Sequence, residues 1–313
     1  MVIPPATPPE TIPDEFAVWA ATDIHGQLQA TRSVLEEARL VDAEGHWIAP
    51  PGTAFVVCGD IVDRGPASLQ LLRWLGSLRE EAAAREGLVV LLEGNHEIQA
   101  LLSIEGDPVT AEAWMLFGAG ALLESAGLAA DEFGPEVPPV EVARRLASRA
   151  PDLEGLLRGL APYATWRDVL LVHGGPTPGV ESLATYAASV ERLWIREAFY
   201  DAAGPFPTAP TWHVFADANL ARVVFGHTSR EMTGLFHEGR AINLDTARGG
   251  RVTLARLPET GSFAEITLLS AETEPRRAGD PPFTADDVRT WDARLPPHID
   301  GLRAAARARL SPG

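Results

Sequence analysis

Gly59-Asp60-Ile61-Val62-Asp63-Arg64-Gly65 follows directly on an apolar run at residues 55–58. A short apolar run closed by glycine reads as a buried strand. Three charges framed by two glycines at its end are more than a charged turn requires. Four other fragments share this build. They are Asp23-Ile24-His25-Gly26 after residues 16–20, Gly94-Asn95-His96-Glu97 after 88–92, His173-Gly174-Gly175 after 169–172, and Gly226-His227-Thr228 after 223–225. Each strand end thus presents Asp, His or Asn. In open α/β sheets, ligands bind just beyond the carboxyl ends of the strands. The pattern predicts an α/β fold with a single site collected from five strand ends.

The donors are hard oxygens and imidazole nitrogens, a set suited to divalent metals, and their number points to two ions. Asp23 and His25 are alternate residues of an extended segment and share a face. The carboxylate of Asp60 has two oxygens and can bridge two ions. One site is predicted from Asp23, His25 and Asp60, the other from Asp60, Asn95, His173 and His227. A pair of ions about 3.5–4 Å apart holds a hydroxide at neutral pH and clamps phosphoryl oxygens during in-line displacement. His96, next to Asn95, is placed to protonate a leaving oxygen, and Asp63 to orient His96 and favour its protonated form. Arg64 suits bidentate contact with phosphate. A second arginine is expected at Arg196, in Trp194-Ile195-Arg196-Glu197, with Arg192 as the fallback.

Bulk properties bound the reading. The chain has 313 residues, 46% of them hydrophobic, and a net charge of −17. That charge argues against non-specific attachment to nucleic acid or anionic lipid, though not against a phosphate site in which bound cations dominate the local field. The single cysteine, Cys58, sits in an apolar strand and reads as a small hydrophobe, and no intrachain disulfide can form. No signal-peptide pattern and no apolar run of about 18 residues is seen. The expectation is a cytoplasmic protein, taken as a monomer, that meets a phosphoprotein or a small phosphorylated substrate and neither nucleic acid nor membrane.

Residues 1–14, rich in Pro and Thr, read as an extended tail. Residues 15–270 read as one domain. Within it strand, loop and helix alternate, with helices at 33–40 and 68–85. Residues 98–165 carry helical stretches near 110–127, 139–149 and 152–159 and little strand signal, so they are predicted as a helical insertion, either a wall of the cleft or a structural cap. A helix around 183–200 and strands at 222–225, 241–244, 251–256 and 263–269 follow, the last three with antiparallel character. Residues 271–313 read as a C-terminal helical extension.

These five motifs in this order resemble the phosphoprotein phosphatase branch, bacterial type, of the calcineurin-like metallophosphoesterases, over about residues 16–257. The resemblance implies a two-sheet α/β sandwich flanked by helices. It implies metal ligands at Asp23, His25, Asp60, Asn95, His173 and His227, and an acid dyad of His96 and Asp63. Phosphate contacts are implied at Arg64, with Asn95 beside it, and at Arg196. Two divalent ions are implied, Mn²⁺ favoured, with Fe or Zn²⁺ as alternatives. The implied activity is hydrolysis of phosphoserine and phosphothreonine by a metal-bridging hydroxide. The alternatives are a bis(5'-nucleosyl)-tetraphosphatase, since Asn243-Leu244-Asp245-Thr246-Ala247 is similar to a stretch of such hydrolases, and an inactive metal-binding scaffold. The sequence departs from the family at Thr22, where glycine is usual. Glu97 is expected to support the ligands rather than bind metal. His46, His213, His237 and His298 are given no catalytic role, and Trp194 and Trp212 are noted as residues able to flank a substrate group.

Overall fold

The computed structural model of the chain describes residues 7–176, 182–195 and 218–274. Arg196, Trp212, His213, His298 and the C-terminal extension beyond residue 274 lie outside the described residues.

In chain order the elements begin with β1 (Glu10–Ile12), β2 (Ala17–Ala21), α1 (Leu28–Glu37), β3 (Thr53–Val57), α2 (Ser68–Ala83), β4 (Leu88–Leu91) and α3 (Asn95–Ile104). The helical segment continues through α4 (Pro108–Leu116), α5 (Gly120–Ser125), α6 (Pro139–Arg149) and α7 (Leu153–Arg158). Then come β5 (Ala164–Trp166), β6 (Val169–Leu171), α8 (Leu183–Ala188), β7 (Arg222–Phe225), β8 (Gly234–Phe236), β9 (Ala241–Asn243), β10 (Arg251–Arg256) and β11 (Thr267–Glu272).

The strands form two sheets, one ordered β11-β10-β2-β3-β4 and the other β1-β5-β6-β7-β9-β8. In the first, β2, β3 and β4 run parallel, with Ala20 opposite Val56 and Val56 opposite Val90. In the second, β6, β7 and β9 run parallel, with Leu171 opposite Val224 and Val224 opposite Ile242. These six side chains belong to one buried apolar layer between the sheets. Their neighbours Phe55, Val57, Val89 and Leu91 point the other way, into a second core shared with α1, α2 and the helical insertion. Both faces of the parallel strands are therefore buried, which is why they read as continuous apolar runs rather than as alternating ones.

The two-sheet α/β sandwich with flanking helices is as the sequence implies. Details differ. Residues 10–12 of the expected tail are extended and also paired, as β1 alongside β5, with Ile12 buried. The helix expected over 110–127 is divided at Gly118, whose φ of 105° no helix accommodates. The helix expected around 183–200 ends at Ala188 and passes into a 3₁₀ turn over Val190–Leu193. β10 and β11 are antiparallel as expected, but β9 is parallel to β7 and antiparallel only to β8. No helix among the described residues is long and apolar enough to cross a membrane.

Candidate metal centre and active site

Because β2, β3 and β4 are parallel, the turns that follow them emerge at one edge of their sheet. They carry Asp23 and His25, Asp60, and Asn95. The same holds for β6, β7 and β9 in the other sheet, which deliver His173, His227 and Asp245. The two sets meet across the sandwich. The Asp23 carboxylate accepts the backbone N–H of His227 at 2.9 Å, and His173 Nε2 lies 3.0 Å from Asn95 Oδ1 and 3.3 Å from Asp60 Oδ1. Two groups of buried side chains have donor atoms within 4.8 Å of one another: His25, Asp60 and His96, and Asp60, His173 and His227. Asp60 is common to both; the first group holds His96 where the sequence reading has Asp23.

Hydrogen bonds behind the donors aim them. His25 Nδ1 faces the Val62 carbonyl oxygen at 2.9 Å, and His173 Nδ1 faces that of Cys58 at 3.0 Å. A carbonyl only accepts, so Nδ1 carries the proton in each ring. In the neutral form of such a ring Nε2 is the lone-pair nitrogen, the tautomer that ligates a metal. Glu97 binds no cavity atom. Its carboxylate accepts four backbone N–H groups, from Ile61 at 2.7 Å, Gly94 at 2.8 Å, Asp60 at 2.9 Å and Val62 at 3.0 Å. Only the ionised carboxylate accepts four bonds. Burial holds the Glu97 carboxyl above its usual range, and those backbone bonds offset only part of the rise. Glu97 thus stitches the Asp60 turn to the Asn95 turn.

The turns are tight. Asp23, His25, Asp60, Asp63, Arg64 and His227 all have positive φ, between 35° and 68°, a region that costs a non-glycine residue of order 1 kcal/mol or more. Such outliers collect where surrounding contacts over-determine the backbone, and at functional sites. Gly65 permits one of these contacts, since a Cβ there would strike the backbone oxygen of His25. Gly226 permits another. It leaves room for Thr22, whose hydroxyl reaches Asp23 Oδ2 at 2.6 Å. The departure at residue 22 is thereby accommodated, and the threonine steadies the Asp23 carboxylate.

Electrostatics fit a divalent cation. Burial pushes the carboxyls of Asp23, Asp60 and Asp245 above the usual range. The charges of Asp245 and Asp60 add to the rise at Asp23, and that of Glu97 to the rise at Asp60. Buried, mutually repelling carboxylates interleaved with neutral imidazoles are a donor set that cations complete. Burial likewise pushes the Cys58 thiol up, which keeps it inert.

The two residues of the expected acid dyad meet: His96 Nδ1 lies 2.7 Å from Asp63 Oδ2, and both residues are fully buried. His96 Nε2 is buried with no hydrogen-bond partner and lies 3.9 Å from Asp60 Oδ2, on the side of the donor cluster. Burial first, then the charges of Arg64, His25, His173 and His227, lowers the His96 pKa in the metal-free chain. The Asp63 carboxylate works against that trend. Arg64 Nη1 is 2.9 Å from His25 Nε2, so the guanidinium reaches the same cavity. Arg192, the fallback phosphate arginine, is instead held in a buried ion pair with Glu93. Trp194 stands edge-on to His227 with ring centres 6.0 Å apart and adjoins Phe117.

Sequence reading did not assign Asp245, Glu93 or Trp114. Asp245 had a usable signal: like the other donors, it follows an apolar strand end. It is buried beside the candidate ligands and hydrogen-bonded to Asp23. Trp114 Nε1 donates to Asp63 Oδ2 at 2.8 Å, and nothing local to its helix marks it.

Parallel strand ends thus collect Asp, His and Asn around a shared carboxylate, beside a buried His–Asp pair, as a candidate metal site. The chain belongs to the calcineurin-like phosphoesterase family, whose model matches residues 16–231. It is similar to Shewanella-like protein phosphatase 2 of Arabidopsis thaliana, 38% identical over 88 residues, 28% of this chain and 22% of that protein. It is also similar to the asymmetrical bis(5'-nucleosyl)-tetraphosphatase PrpE of Bacillus velezensis, 25% identical over 76% of this chain and 88% of that protein. The chain spans 22% to 26% of the length of the first three curated relatives it matches. Among solved structures, the cold-active protein-tyrosine phosphatase of a psychrophilic Shewanella shares the fold. Its TM-score is 0.51 at 23% identity, over 81% of this chain and 78% of that one.

Proposed function

We propose that this chain is a metal-dependent phosphomonoesterase whose substrates are phosphoserine and phosphothreonine. The observation that carries the reading is the buried dyad, with His96 Nδ1 held by Asp63 and Nε2 unpartnered on the Asp60 side. A positioned acid matters most when the departing oxygen is strongly basic. Serine and threonine alkoxides are far more basic than a nucleotide phosphate released from an anhydride. A built acid therefore favours monoesters over dinucleoside polyphosphates.

Asp23, His25, Asp60, Asn95, His173 and His227 are the residues that would hold two divalent ions, with Asp60 shared. Their mixed nitrogen and oxygen donors suit Mn²⁺, with Fe and Zn²⁺ as alternatives. When bound, such ions supply an activated water and neutralise the phosphoryl oxygens. Arg64, beside His25, engages a phosphoryl oxygen. As water attacks phosphorus, the bond to the leaving oxygen breaks. The electron pair passes to that oxygen, which takes the proton from His96 Nε2. Asp63 stabilises the imidazolium beforehand.

A second reading, hydrolysis of dinucleoside polyphosphates, is supported by the match along most of its length to a relative named for that activity. A panel on Mn²⁺-loaded protein separates the two: a phosphoserine peptide, a phosphothreonine peptide, a phosphotyrosine peptide and diadenosine tetraphosphate. The proposal expects the first two to have the highest kcat/KM. Preference for the dinucleotide, or for the phosphotyrosine peptide by tenfold or more, would overturn it.

A further inference from the structure

Trp114 lies on α4, within the helical insertion, and its indole is fully buried. Its Nε1 donates to Asp63 Oδ2 at 2.8 Å, the same oxygen that faces His96 Nδ1 at 2.7 Å. Two N–H donors on one carboxylate oxygen fix the rotation of the carboxyl group. That rotation sets the His96 ring, whose buried Nε2 has no hydrogen-bond partner and lies 3.9 Å from Asp60 Oδ2. The following turn holds the phosphate arginine as well: the backbone N–H of Arg64 donates to the Gly118 carbonyl at 3.1 Å. A side chain at Gly118 would press on Arg64 Cγ. The insertion therefore touches both machine parts that leave the Asp60 turn, the acid's partner and the guanidinium. α4 itself is set by Asp107, whose side chain accepts from the backbone N–H groups of Val109 and Thr110 behind Pro108 at the first helical position.

We propose that Trp114 is a positioning residue for acid catalysis. Its indole N–H holds Asp63 so that His96 Nε2 points at the leaving oxygen. The inference rests on the phosphomonoesterase reading above. Trp114 gives up no proton. The proton that reaches the leaving oxygen comes from His96 Nε2, and the indole only fixes the carboxylate behind the imidazole. A charge-assisted hydrogen bond of this kind is among the stronger ones a side chain makes, so its loss is measurable in rate.

The test compares wild type, Trp114→Phe and His96→Asn, each Mn²⁺-loaded, on a phosphoserine peptide and on p-nitrophenyl phosphate, whose leaving group needs little help. Trp114→Phe keeps an aromatic ring and removes the N–H. The expected result is a tenfold or larger fall in kcat on the phosphoserine peptide and a change of less than threefold on p-nitrophenyl phosphate. KM and metal bound per chain should be unaltered. His96→Asn should show the same selectivity more strongly. If His96→Asn is selective and Trp114→Phe lowers both substrates equally or neither, the role given to Trp114 is wrong and the acid reading stands. If His96→Asn is itself unselective, the acid reading fails and the inference falls with it. Should the phenylalanine variant fold poorly, benzothienylalanine at position 114 repeats the comparison, since it replaces the indole N–H by sulfur at equal shape.

Discussion

Glu97→Gln leaves the number of heavy atoms unchanged and alters the hydrogen-bond arithmetic a great deal. The wild-type carboxylate accepts four backbone N–H groups, two on each oxygen. A glutamine can match only the pair that meets its carbonyl oxygen. Its amide nitrogen must face the other pair, Asp60 and Gly94 or Ile61 and Val62, donor against donor. Two hydrogen bonds to a charged acceptor, each worth about 1.5–3 kcal/mol, are lost, so the cost is about 3–6 kcal/mol. Against a typical stability of about 5–15 kcal/mol, that is about a fifth or more. Because these bonds place the turns that carry Asp60 and Asn95, Mn²⁺ affinity falls with stability. Urea denaturation of the metal-free proteins reads the first effect as a lower midpoint at constant slope, and calorimetric titration with Mn²⁺ reads the second. A midpoint shift equivalent to less than about 1 kcal/mol, with unaltered Mn²⁺ affinity, would refute the argument that Glu97 organises the site from behind.

Asp60→Asn removes the carboxylate common to both donor groups, so turnover should fall at least a hundredfold and metal analysis should find fewer ions per chain than in wild type. Removing metal with a chelator should lower the melting temperature, and more so at higher pH. Asp23, Asp60 and Asp245 have folded-state pKa values raised above 3.8. The stability they contribute is present below pH about 4 and is lost as the pH rises through the folded values. A scan of metal-free melting temperature from about pH 4 to neutrality should slope downward, and Mn²⁺ should flatten it. Glu93→Gln leaves the Arg192 charge buried without its partner, at a cost of about 3–5 kcal/mol. The melting midpoint should report that loss, and pairing Glu93→Leu with Arg192→Met should recover most of it.

The site was legible wherever chemistry sits beside a strand end. Asp23, His25, Asp60, Asn95, His173 and His227 each follow an apolar run, and parallel pairing converts that sequence adjacency into spatial adjacency. Glu97 was legible as support because it lies one helical step from the ligands. The partition of the strands between two sheets was not legible, because each run is buried on both faces and local pattern does not say which neighbour it pairs with. β9 shows this most plainly: its alternation suggested an antiparallel strand, yet long-range pairing with β7 decides its direction and carries Asp245 to the cavity. Trp114 was invisible for another reason. It lies 51 residues from Asp63, and a tryptophan in an Ala- and Leu-rich segment such as 98–165 reads as core. Thr22 illustrates compensation, since the space it needs is granted by Gly226, two hundred residues away by numbering.

The number of Mn²⁺ ions taken up by a metal-depleted chain, followed by calorimetry alongside phosphate release from a phosphoserine peptide, tests the central claim most directly. The account predicts two ions per chain, release that begins only as the second is bound, and a single ion for His25→Ala or His173→Ala. Full phosphate release from a chain holding one ion, or none, would contradict it.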